Sequence, residues 1–238
     1  MGRKLLLGLG LAYLAVLHVI AVLAFFAPQM LPYQGWRLGL PPAEPTAYVA
    51  ERHRYIQWLD KHAEPGGVAL LGASHLELVD ASLLGDHMLK YAAGGDTLRH
   101  TAQRVQDYPN LAQARAIVLW VGFNDIAHRG PEEIATDLPV LFERLPGDVP
   151  VIMLGLAPSS VAGKQPAIAA INARYQPLCE QDPRCAYVDT VPLLAAPDGS
   201  LDPAYDRGDG IHLNRAGYRK LAEVLRPLLP TVKGSNAL

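Results

Sequence analysis

The sequence predicts an α/β domain of three layers, α/β/α, built on about five parallel strands and preceded by one N-terminal transmembrane helix. Three observations carry this. Short, continuously apolar runs bounded by Gly or Pro recur along residues 66–230. Strands apolar at every residue, not at alternate ones, belong to parallel sheets covered on both faces. Stretches of helical periodicity lie between these runs, so strand and helix alternate along the chain. Ahead of them stands a 22-residue segment, Leu5 to Phe26, without Asp, Glu, Lys or Arg.

As a helix, that segment spans roughly 33 Å, against a bilayer core of about 30 Å. Every backbone amide must find a partner inside lipid, which requires the helix. Arg3 and Lys4 flank one end, and the first charge beyond the other is Arg37. The positive-inside rule keeps the N-terminus cytoplasmic and exports the rest, to the periplasm in a bacterium. The competing reading is a cleaved signal peptide, whose apolar region runs about 7–15 residues and ends in small residues. Here the run is longer, and a cut after Ala24 leaves Phe25 and Phe26 on the mature chain. Both readings put the domain outside the cytoplasm. Residues 1–27 are therefore an anchor or an uncleaved signal sequence.

Residues 28–65 follow as a linker and a helix. Pro28, Pro32, Pro41, Pro42 and Pro45 fix φ and remove donors, which makes the first part extended. Thr46 to His62 is amphipathic, with Val49, Ile56 and Leu59 on one face, and ends before Pro65-Gly66-Gly67. Strands are expected at 68–71, 88–92, 116–121, 149–154 and 186–188, and helices at 97–106, 132–144, 166–179 and 215–226. The domain closes near residue 230, leaving a short tail, 231–238.

Composition excludes some functions. With 21 basic and 23 acidic residues there is no electrostatic case for nucleic-acid binding. Without Arg3 and Lys4 the balance is 19 against 23, a mildly acidic domain. Cys179 and Cys185 can close a small loop in an oxidising compartment, the alternative being two buried thiols. Two thiols without a nearby His make half a metal site, and His53, His62, His87, His100 and His128 have no ligand spacing. Those histidines read as surface or packing residues. No Walker sequence is present, since Gly163-Lys164 is followed by Gln165.

In open parallel sheets the site lies beyond the carboxyl ends of the strands. Four places there carry chemistry-bearing residues. The first strand runs into Gly72-Ala73-Ser74-His75, and the second into Gly94-Gly95-Asp96-Thr97. The third ends in Gly122-Phe123-Asn124-Asp125, and Asp209-Gly210-Ile211-His212 precedes the last helix. Taken singly each has a plainer reading: a capping serine, a turn glycine, a strand-end cap, a packed histidine. Their order and spacing together resemble the SGNH, or GDSL-type, hydrolases, over roughly residues 66–230.

That resemblance implies a flavodoxin-like five-stranded sheet and an esterase, thioesterase or lysophospholipase activity. It makes Ser74 the nucleophile, with His212 and Asp209 completing a triad. The Ser74 and Gly95 amides and the Asn124 side chain become the oxyanion hole. A serine hydroxyl needs an imidazole to take its proton, and a carboxylate to hold that ring in the right tautomer. No metal or cofactor is required. The family carries Asp before the serine and Leu after it, where this chain has Ala73 and His75. His75 is a pocket-lining donor or an alternative base, against the plainer reading of a packing residue. Phe123, Ile126 and the loop 158–165 are expected at the lip. An α/β-hydrolase elbow fits worse, because Gly72-Ala73-Ser74-His75-Leu76 lacks the second glycine. The expected substrate is an ester or thioester of a small molecule, lipid or glycan. Two further readings stay open: an O-acyltransferase acting on envelope glycans, and a catalytically silent binding protein.

Overall fold

The structure, a computed structural model, describes residues 47–230 and, before them, residues 8, 10, 12–19, 21 and 22, which are helical. Contacts divide the chain into two units, Met1–Glu44 and Pro45–Leu238. The predicted span Leu5–Phe26 lies only partly within the described residues, among which no helix is long and apolar enough to cross a membrane. The proline-rich linker and the tail lie outside them.

The second unit is the α/β domain. Five strands, β1 (Val68–Gly72), β2 (Met88–Ala92), β3 (Ala116–Trp120), β4 (Val151–Leu154) and β5 (Cys185–Val188), pair in the order β2-β1-β3-β4-β5. Every pairing is parallel, with Val68 opposite both Met88 and Ala116. β4 starts at Val151, two residues later than the apolar run, because Pro150 has no N–H for the ladder.

The apolar runs are continuous because both faces are covered. Val68, Leu70, Val118, Trp120 and Ile152 belong to one core, while Ala69, Leu71, Ile117, Leu119 and Met153 belong to the other. The second core is covered by α1 (Ala47–His62), α3 (Leu98–Arg104), α4 (Pro131–Arg144) and α5 (Gln165–Glu180), through residues such as Ile56, Leu98, Leu138 and Tyr175. The first is covered by α2 (Ser74–Leu78), α6 (Val191–Leu194) and α7 (Arg215–Leu225), through Leu76, Leu194 and Leu221. The three layers follow from this division.

The compact unit takes in α1, which the sequence sets apart with the linker. Ile56 is fully buried in the core. Leu59, expected on the same face, is only half-buried, and the fully buried neighbour is Asp60. Its carboxylate accepts the Tyr91 hydroxyl at 2.8 Å and the Asn110 amide at 3.2 Å, which makes the burial tolerable. Cys179, at the end of α5, and Cys185, at the start of the edge strand β5, are joined in a disulfide.

From β1 the chain crosses first to β2 on one side and then to β3 on the other. The loops leaving β1 and β3 therefore diverge, and a crevice opens at the carboxyl end between them.

Candidate active site

The turn after β1 depends on one glycine. Gly72 has φ +152°, and a Cβ there would sit 2.1 Å from the Trp120 carbonyl oxygen. Only glycine lets β1 end pressed against β3, with the Ala73 amide donating to that same carbonyl at 3.1 Å. α2 then starts at Ser74. An amide in the first turn of a helix has no acceptor within the helix.

The second loop is the turn Ala93-Gly94-Gly95-Asp96, closed by the Asp96 amide on the Ala93 carbonyl at 3.1 Å. Gly95 holds φ +82°, the left-handed region. Asn124 comes from the turn after β3, and its Nδ2 donates to the Asp96 carbonyl at 2.7 Å. One proton of that amide remains for another acceptor.

The fourth loop carries Asp209 and His212. The Asp206 carboxylate folds it by accepting the Gly208 and Gly210 amides at 2.8 and 3.1 Å. Asn214 caps α7 by accepting the Ala216 and Gly217 amides. Asp209 Oδ1 accepts the amides of Ile211 and His212 at 3.0 and 2.8 Å. Its Oδ2 lies 2.7 Å from His212 Nδ1, and His212 Nε2 lies 2.8 Å from Ser74 Oγ. Nδ1–H donating to the carboxylate leaves Nε2 free to accept the hydroxyl proton. Burial pushes the Asp209 carboxyl up, but the His212 amide and ring and the Ile211 amide outweigh it and hold the pKa at about 2. The carboxylate is thus ionised wherever the imidazole has work to do. This is a relay able to draw a proton from a serine during attack on a carbonyl.

His75 is buried beside this relay. Its Nε2 donates to the Ile211 carbonyl at 3.0 Å, and its ring packs tilted against Trp120, 4.5 Å between centroids, and lies 5.3 Å from the His212 ring. Burial, then the neighbouring His212, lower its pKa to about 4, so it is neutral and committed to the loop that carries His212. His75 lines the recess, while its Nε2 hydrogen is spent on a backbone carbonyl, as a packing histidine's would be.

Beside Ser74 is a small recess lined by Ala73, His75, Trp120, Phe123, Asn124 and Leu156, among others. Phe123 lines it. The loop 158–165 instead braces the His212 loop, through Ser159 Oγ and the Ser160 amide on the Gly210 carbonyl at 2.7 and 3.0 Å.

Several residues that shape the site have no motif. Asp96 is fully buried, 2.5 Å from Arg104 Nε, with His53 at 3.5 Å and His100 at 3.8 Å. Burial pushes this carboxyl up, and His53 and Arg104 outweigh it and lower its pKa. Arg104 also donates to the Gly72 and Tyr91 carbonyls, tying the ends of β1 and β2 to the second loop. The one sequence signal was a basic residue on the apolar face of α3. Asp125, buried next to Asn124, accepts the Leu98 amide at 2.8 Å at the start of that helix.

Residues 75–220 match the GDSL-like Lipase/Acylhydrolase family, beginning one residue after Ser74. The chain is 30% identical to the human platelet-activating factor acetylhydrolase IB subunit alpha2 over 198 residues, 76% of this chain and 83% of that protein. Its fold is similar to a GDSL-like lipase from Bacteroides thetaiotaomicron, with a TM-score of 0.64 at 18% identity over 76% of this chain and 97% of that one. It is also similar to the lipase/acylhydrolase from Enterococcus faecalis, with a TM-score of 0.58 at 14% identity over 71% and 100%. Serine, imidazole and carboxylate at the end of a parallel sheet thus stand in a chain that belongs to the GDSL-like lipase/acylhydrolase family, and it is an ester hydrolase.

Proposed function

We propose that this chain is a serine esterase for short acyl groups, held at a membrane by its N-terminal segment with the catalytic domain on the extracytoplasmic side. The observation that carries the chemistry is the 2.8 Å contact between Ser74 Oγ and His212 Nε2, continued by the 2.7 Å contact to Asp209. As His212 Nε2 takes the hydroxyl proton, Ser74 Oγ bonds to the ester carbonyl carbon. The negative charge on the carbonyl oxygen is met by the Ser74 and Gly95 amides and the free amide proton of Asn124. The bond to the alcohol breaks, and His212 returns the proton to the departing oxygen. Water, deprotonated by the same ring, then attacks the acyl-serine, releasing the acid and restoring the hydroxyl.

The recess at Ser74 is narrow, walled by Phe123, Trp120 and Leu156, and this lack of room beside the hydroxyl supports a short acyl group over a long one. The human relative is by name an acetylhydrolase. The charge-free segment Leu5–Phe26 behind Arg3 and Lys4 supports the anchor, and an anchored enzyme meets esters carried by lipids.

Ser74→Ala should abolish turnover of p-nitrophenyl acetate while the protein stays folded, and retained turnover removes Ser74 from the mechanism. Along a series of p-nitrophenyl esters from acetyl to palmitoyl, kcat/KM should peak at the shortest members. A profile that is flat, or rises with length, refutes the short-acyl assignment.

A further inference from the structure

Ala73 stands where the resembled family carries an acid, yet a carboxylate reaches this part of the site from the next turn of α2. Glu77 Oε2 accepts the Gly94 amide at 2.5 Å. Its other oxygen accepts the Tyr48 hydroxyl and lies 3.3 Å from Arg52 Nε, which also donates to the Ala92 carbonyl at 3.0 Å. Tyr48 and Arg52 are one turn apart on α1, ahead of the family's matched region. The Glu77 hydrogen bond, with burial, raises the Tyr48 pKa, so the phenol keeps its proton and remains a donor.

Gly94 is wedged into this arrangement. A Cβ there would lie 3.0 Å from Glu77 Oε2, 3.6 Å from the Tyr48 ring and 3.7 Å from the Ser74 Cβ. The Gly94-Gly95 turn is thereby caught between the nucleophile and a carboxylate that α1 holds still. Two adjacent glycines leave a backbone with wide conformational freedom, so an outside restraint decides where its amides point. A charged acceptor makes that restraint strong.

We propose that Glu77 is a positioning residue for the oxyanion hole: gripped by Tyr48 and Arg52, it fixes the Gly94 amide and so aims the adjacent Gly95 N–H at the developing oxyanion. This rests on reading the Gly95 amide as an oxyanion donor. Glu77 does not touch substrate, and a donor aimed at charge that develops in the transition state acts on kcat more than on KM. α1 becomes part of the catalytic machinery at one remove.

In the full chain, Glu77→Ala is expected to lower kcat on p-nitrophenyl acetate about tenfold, with KM held within about twofold. Glu77→Gln keeps an acceptor for the Gly94 amide and is expected to recover kcat to within about threefold of the parent. Tyr48→Phe, which keeps the ring and removes the grip, should cost about threefold in kcat. A folded Glu77→Ala with parental kcat overturns the proposal, and so does a Glu77→Gln as slow as Glu77→Ala. If Glu77→Ala does not fold, a Tyr48→Phe with parental kcat overturns it. Retained turnover in Ser74→Ala would remove the underlying reading of the site instead, so the two failures are told apart.

Discussion

Asn124→Ala separates the two jobs that one carboxamide does here. One proton of Asn124 Nδ2 is spent on the Asp96 carbonyl at 2.7 Å, and the other is available to the oxyanion. Removing a single preorganised oxyanion donor costs about 3–4 kcal/mol of transition-state stabilisation, or roughly a 10²–10³-fold fall in kcat. KM should move by no more than about twofold, because the neutral carbonyl of the bound ester gains little from that donor. The lost bond to Asp96 is a separate effect on the fold. One neutral hydrogen bond at a part-buried carbonyl is worth about 1 kcal/mol, far too little to unfold the domain. The assay is steady-state hydrolysis of p-nitrophenyl acetate across saturating concentrations, with urea unfolding run on the same preparations. A folded variant whose kcat falls less than about fivefold would refute the role given to Asn124, since no single donor in such a hole is worth so little.

Two other expectations follow from buried groups. Arg104→Met leaves the Asp96 carboxylate buried without its closest cation, and should cost about 3–5 kcal/mol in urea unfolding at unchanged slope. A loss below about 1 kcal/mol would mean that the pair does not hold the second loop. His75 should make stability depend on pH, because burial depresses its pKa from 6.5 to about 4. An imidazole that the native state keeps neutral stabilises the fold in full above pH 6.5. Below that the unfolded chain takes up a proton that the native one refuses, so stability falls until about pH 4 and then levels off. The loss is at most about 3 kcal/mol. His75→Gln should flatten that part of the profile, measured as unfolding free energy at pH 7 and pH 4. An equally steep profile in the variant would assign the dependence to other groups.

What the sequence determined by itself is local or periodic. Burial on two faces makes β1, β3 and β4 apolar at every residue, and that pattern is visible without coordinates. Ser74, Gly95, Asn124, Asp209 and His212 were legible only jointly, through the resemblance that their order along the chain carries, since each alone reads as a cap, a turn or a packing residue. The architecture of a parallel sheet then obliges strand ends to share one edge.

Tertiary structure alone decided the partners of polar groups. Periodicity reports which positions avoid water, and is silent on which buried oxygen meets which nitrogen. It therefore put Leu59 on the face of α1 where the structure buries Asp60 against Tyr91 and Asn110. The same silence hid the pair of Asp96 and Arg104, eight residues apart, and the meeting of Tyr48 with Glu77 across 29 residues. It also gave no sign that the Nε2 of His75 meets the Ile211 carbonyl, 136 residues away. A hydrogen bond is short and directional, so it exists only once packing has brought two distant segments to within about 3 Å of each other.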